Sequence, residues 1–76
     1  MPLKSSKKKY SLSKIAKNVQ DGRENLELTR DQLSRKAKVN YNTIVKLESG
    51  ANKNPTAKTL IGLSRVLNCS VEDLLT

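Results

Sequence analysis

The chain has 76 residues and a formal charge of +8, from fifteen Lys and Arg against seven Asp and Glu, with no His, Trp or Phe and a single Cys. That length holds one small domain, which buries only about 60% of its unfolded surface. The composition excludes an internal disulfide framework and supplies no His base, no Cys/His metal cluster and no glycine-rich phosphate loop.

The charge is unevenly spread. Residues 1–17 carry Lys4, Lys7, Lys8, Lys9, Lys14 and Lys17 and no acid, whereas residues 18–76 carry nine bases and seven acids. Residues 1–9 hold too few apolar side chains to offset the entropy of ordering. We read residues 1–11 as a flexible basic arm and residues 12–76 as the folded domain.

From Leu12 the apolar spacing is helical: Leu12, Ile15, Ala16 and Val19 recur every three or four residues. Ser11 or Ser13 can cap this helix, which is predicted over about 13–24. Gly22 weakens its C-terminal part by roughly 1 kcal/mol relative to Ala. Thr29 begins the second helix, with Gln32 at the spacing of a capping box and Leu33 and Ala37 on the apolar side. Lys38, Val39 and Asn40 break the pattern. Asn40 can cap a third helix with Ile44 and Leu47 inward, and Gly50 suits the left-handed position after it. GANKNP, residues 50–55, is a loop. Thr56 caps a fourth helix with Leu60, Leu63, Val66 and Leu67 on its apolar face, stopped by Asn68. Ser70 caps a last short helix with Glu72 and Asp73 in its first turn, where acids favour the dipole. Its apolar members are Val71, Leu74 and Leu75. Five helices and no convincing strand predict an all-α fold.

Residues 28–50, LTRDQLSRKAKVNYNTIVKLESG, place two short helices around a three-residue turn, with Val39 plugging the corner. That is the arrangement of a helix-turn-helix, here about 29–48, whose second helix lies in the major groove. On the wheel of residues 41–48, Ile44 and Leu47 point inward. Tyr41, Asn42, Val45 and Lys46 then lie on the opposite face, with Thr43 at its edge. Asn can pair with adenine and Lys can donate to guanine. Tyr41 and Val45 can touch a thymine methyl.

The pattern Leu28, Thr29, Leu33, Ala37, Val39, Ile44, Glu48 and Gly50 resembles the phage repressor/Cro-type (XRE-like) helix-turn-helix family. The resemblance continues through Asn54-Pro55, Thr59-Leu60 and Val71 to Leu75. It implies a compact five-helix, lambda-repressor-like domain, with positions 41, 42 and 46 as the main base readers. It also implies that the loop after the third helix grips the DNA backbone. Expected phosphate contacts are Thr29 and Arg30 at a helix N-terminus, and Ser49, Asn52, Lys53 and Thr56 around the loop. The resemblance further implies an ion pair between Arg23 and Glu48. The sequence departs from the family at Lys38, where Gly is usual and a left-handed side chain costs roughly 1–2 kcal/mol. It departs at Gly22, where an apolar core residue is usual and Leu26 is the expected filler. It departs also at Arg30, where Gln is frequent.

Several features keep two readings. The lysine arm is either a solubilising tail or a strap along the DNA backbone. Val71, Leu74 and Leu75 either close the core or form a homodimer interface. Cys69 reads as a small buried apolar residue. The expected function is sequence-specific binding of double-stranded DNA by a stand-alone homodimeric transcription regulator on a two-fold operator. Restriction–modification controllers, Cro-like repressors and antitoxins are examples. The alternative is an antitoxin or coactivator-type module that uses the same fold to bind protein. Neither cofactor, metal, small-molecule ligand nor membrane is expected, no enzyme activity is expected, and the expected location is cytoplasmic.

Overall fold

The computed structural model describes residues 14–52 and 54–76. The expected arm, its neighbours Leu12 and the capping serines Ser11 and Ser13, and Lys53 in the loop all lie outside the described residues. Five helices follow in order: α1 (Ile15–Asn25), α2 (Arg30–Ala37), α3 (Tyr41–Ser49), α4 (Ala57–Leu67) and α5 (Val71–Leu75). No strand occurs among the described residues, and none of the helices is long and apolar enough to cross a membrane.

The helix ends follow the local chemistry. Thr29 Oγ1 accepts from the Gln32 amide at 3.0 Å while Gln32 Oε1 accepts from the Thr29 amide at 2.8 Å, a complete capping box. Ser70 and Asp73 form a second one at α5. Asn40 and Thr56 cap α3 and α4. Lys14 stands at the N-cap of α1 without a side-chain cap bond.

Three left-handed side chains end helices. Lys38, at φ 58, lets the Val39 amide reach the Ser34 carbonyl at 2.9 Å and its own amide reach that of Arg35, a Schellman pair. Glu27, at φ 57, ends the α1 region the same way: its amide donates to the Glu24 carbonyl and the Leu28 amide to that of Arg23. Asn68 is the third.

The core is Ile15, Val19, Leu33, Ala37, Ile44, Leu47, Leu63 and Leu74, with Leu28, Val39, Leu60, Val66, Leu67, Cys69 and Leu75 packed around it. α1 lies against α3, α4 and α5, while α2 lies against α3 and α4. Two expectations are corrected. Leu26 is 47% exposed and fills nothing; the space beside Gly22 is taken by Leu67, whose methyl carbons lie 3.3 Å from where a Cβ would stand. Leu74 is 2% exposed and belongs to this chain's own core, so it offers a second copy no surface. Val71 and Leu75 stay half-buried at the periphery.

Candidate nucleic-acid interface

The turn of residues 38–40 sets α3 across α2. Its inner face, Ile44 and Leu47, is fully buried. Its outer face carries Tyr41, 47% exposed, with Asn42 and Lys46 also exposed. Thr43 and Val45 are half-buried at the flanks of that face. A helix anchored by two apolar side chains and presenting an amide, a phenol and an ammonium can read base edges by donating and accepting hydrogen bonds.

What holds the C-terminal end of α3 is Glu48, whose side chain is 3% exposed. Its Oε2 accepts from Arg23 Nε at 2.7 Å and its Oε1 from Arg23 Nη2 at 3.1 Å, a bidentate fork. Arg23 is itself only 11% exposed, and its Nη1 donates to the Leu28 carbonyl at 2.8 Å. Because the Leu28 amide donates to the Arg23 carbonyl, side chain and backbone of these two residues lock each other. One guanidinium therefore ties the end of α1, the loop before α2 and the end of α3. The hydrogen bond to Glu48 raises the Arg23 pKa, partly opposed by burial. The expected ion pair is present, and it has a third member. Arg30 Nε donates to Glu48 Oε1 at 2.9 Å while its side chain stays 45% exposed. The start of α2 is thus fastened to the end of α3, with the outer part of the guanidinium left at the surface.

The expected phosphate-binding hydroxyls have internal partners. Thr29 is committed to its capping box. The Thr56 hydroxyl accepts from the Thr59 amide and donates to Thr59 Oγ1, both at 3.1 Å. Ser49 Oγ donates to the Lys46 carbonyl, which also accepts from the Asn52 amide at 3.0 Å. Asn52 Oδ1 accepts from the Asn54 amide at 2.9 Å. These bonds shape the rim, yet Thr29 Oγ1 and Asn52 Oδ1 serve in them only as acceptors, which leaves the Thr29 hydroxyl and Asn52 Nδ2 as donors beside the backbone amides and Arg30.

Two features escaped the sequence reading. Ser34 is buried and donates to the Asp31 carbonyl at 2.7 Å. Asn18 Nδ2 donates to the Leu74 carbonyl at 2.8 Å, pinning the end of α5 to α1. The Ser34 bond lies within one helical turn, but its burial shows only once α2 is packed, and the partner of Asn18 is 56 residues away.

This geometry agrees with the comparisons. The Helix-turn-helix family model matches residues 19–74, most of the chain. The chain belongs to that family, the XRE-like helix-turn-helix proteins, and is a DNA-binding regulator rather than an enzyme. No curated protein sequence matches it. Among solved structures it is similar to the N-terminal DNA-binding domain of SinR from Bacillus subtilis, with 27% identity and a TM-score of 0.80. The match covers 82% of this chain and 90% of that one. SinR in complex with DNA, described as the master regulator for biofilm formation, gives 27% identity and a TM-score of 0.78, over 82% and 98% of the two chains. The restriction–modification controller C.AhdI from Aeromonas hydrophila shares the fold at 17% identity, with a TM-score of 0.75 over 83% and 94%. The hydroxypropylphosphonic acid epoxidase of S. wedmorenis shares it too, at 22% identity and a TM-score of 0.75. That match covers 91% of this chain but only 36% of the enzyme.

Proposed function

We propose that this regulator binds double-stranded DNA sequence-specifically as a homodimer, with α3 in the major groove of each half-site. The observation that carries the proposal is the three-residue clamp, Arg23, Arg30 and Glu48. It fixes both ends of the helix-turn-helix while leaving Tyr41, Asn42 and Lys46 outward. Preorganised side chains of this kind read bases, with Thr43 and Val45 lining the groove wall beside them. Thr29, Arg30, Ser49, Asn52 and Thr56, through side-chain donors and the backbone amides around them, position the duplex, joined by Lys53 and the basic arm. The DNA complex of SinR supports this docking by likeness.

Val71 and Leu75 provide the self-complementary apolar patch for a two-fold dimer, which would set half-sites about one helical turn, 34–36 Å, apart. Val71→Asp is then expected to give a monomer by analytical ultracentrifugation while the fold persists. Restriction–modification control is one setting for such a regulator. Finding an endonuclease or methyltransferase gene next to this one would support that setting, and finding a toxin gene there would support the antitoxin role instead.

The direct test is fluorescence anisotropy on duplexes from the region upstream of the protein's own gene. Asn42→Ala is expected to weaken the preferred duplex by about 1–3 kcal/mol and to relax preference at one base pair. Equal affinity for preferred and scrambled duplexes across a salt series would sink the proposal.

A further inference from the structure

The paired and unpaired charges of the described residues are segregated. Lys17, Arg23, Arg30 and Arg35 each have a carboxylate partner. Lys14, Lys36, Lys38, Lys46, Lys58 and Arg65 take part in no ion pair. Four of those six, Lys36, Lys38, Lys58 and Arg65, line a single cleft of about 420 Å³ between the C-terminal turn of α2 and the outer face of α4. No acid lines it and no residue of α3 reaches it. The largest concentration of unpaired positive charge on the described surface therefore lies away from the base-reading face.

The floor of the cleft is apolar. Lys58, Ile61, Gly62 and Arg65 recur on α4 at the spacing of one helix face. Gly62 lets the helices touch there: a Cβ on it would stand 2.6 Å from the Ala37 carbonyl oxygen. That contact closes the bottom of the cleft and leaves Ile61, 49% exposed, on its wall. A branched aliphatic side chain this exposed, ringed by cations without counter-charges, has both terms of a recognition site unmet: apolar area still in water and like charges still facing each other.

We propose that this α2–α4 cleft docks a short acidic segment of another protein, one that lays an aliphatic side chain against Ile61 and its carboxylates among Lys36, Lys38, Lys58 and Arg65. Charge complementarity selects the acid. The apolar floor selects a peptide over a nucleic-acid backbone, since phosphates would engage the cations and leave Ile61 and the floor without a partner. The site is separate from the DNA-reading face, so its test does not depend on α3 binding DNA.

The experiment uses the full chain, labelled with nitrogen-15, and a short synthetic peptide of glutamates and leucines at helical spacing. Two control peptides carry serine for leucine or glutamine for glutamate. Amide shift changes are expected to centre on residues 36–38 and 58–65. Ile61→Ser is expected to weaken binding about fivefold, and Arg65→Glu about tenfold. Lys46→Glu is expected to leave it unchanged, and both control peptides are expected to bind more weakly. All three residues are exposed, so the variants should melt with the wild type.

Four results would each overturn the proposal. These are no binding by the glutamate–leucine peptide, shifts centred on residues 41–46, equal binding of the leucine-free peptide, and equal losses from Arg65→Glu and Lys46→Glu. A parallel titration with duplex DNA covers the remaining occupant. If Arg65→Glu lowers DNA affinity as much as Lys46→Glu does, the cleft is part of the nucleic-acid surface instead.

Discussion

Replacing Glu48 by Ala removes both oxygens that Arg23 uses, and leaves an 11% exposed guanidinium with the Leu28 carbonyl at 2.8 Å and the exposed Glu24 carboxylate at 3.8 Å. Breaking one side of a buried pair costs about 3–5 kcal/mol. The two remaining contacts set the expectation at the low end, about 3 kcal/mol. A domain of this size has roughly 4–11 kcal/mol in total, so a large part of it goes. At about 4–8 °C per kcal/mol the midpoint falls by about 12–24 °C. Urea and thermal melts followed by circular dichroism measure this. The loss should persist at about 0.5 M salt, because screening acts weakly on a buried pair. Arg30→Ala should cost below about 1 kcal/mol, since that side chain is 45% exposed. A double replacement, Arg23→Met with Glu48→Leu, should recover most of the loss, because no charge is then stranded. Glu48→Ala melting with the wild type, or Arg30→Ala costing as much as Arg23→Ala, would refute the reasoning.

Two glycines of helix interiors should respond to Ala in opposite directions. Gly22→Ala meets only the flexible end of Leu67 at 3.3 Å and should stabilise by about 0.5–1 kcal/mol through helix propensity. Gly62→Ala drives a Cβ to 2.6 Å from backbone and should destabilise by about 1–2 kcal/mol; urea midpoints that move together would contradict this. Lys38→Gly removes left-handed strain of roughly 1–2 kcal/mol but loosens the unfolded chain, leaving a net gain of about 0.5–1 kcal/mol; a lower melting temperature would refute it. Burial, then Asp73, raises the Cys69 pKa above its ordinary 9.0. The folded state therefore favours the thiol. Its contribution to stability is complete below about pH 9 and fades as pH rises through the raised value. Iodoacetamide should accordingly label the folded chain more slowly than the urea-unfolded chain at about pH 9, and equal rates would count against it.

The helix count, the order and most helix ends were legible in the sequence, because each rests on neighbours. Thr29 with Gln32, Asn40, Thr56, Ser70 and Gly50 satisfy helix termini within a few residues of themselves, as their residue types require. The inward residues Leu33, Ala37, Ile44 and Leu47 followed from the helical period. Tyr41, Asn42 and Lys46 are outward as the same wheel places them, whereas Val45, placed with them, is half-buried at the flank. The Arg23–Glu48 pair came from the resemblance, since 25 residues separate its members and no local rule joins them.

Other features waited for the fold. Leu26 and Leu67 are both leucines at plausible core positions, and only the approach of α4 to α1 decides that Leu67 covers Gly22. Leu74 reads equally well as core or interface until α5 is seen folded against α1, held by Asn18. That Arg30 also fastens Glu48, at 2.9 Å, while 45% of its side chain stays exposed appears only when α2 and α3 are seen together.

The sequence by itself thus determined the five helices, the caps of α2 to α5 and the outward residues of α3, because these depend on periodicity and on hydrogen bonds between near neighbours. Only the tertiary structure decided the partners. Which arginines share Glu48, which leucine fills the gap and which lysines converge on the α2–α4 cleft are all set by helix crossings, and a crossing brings together residues whose spacing along the chain carries no period.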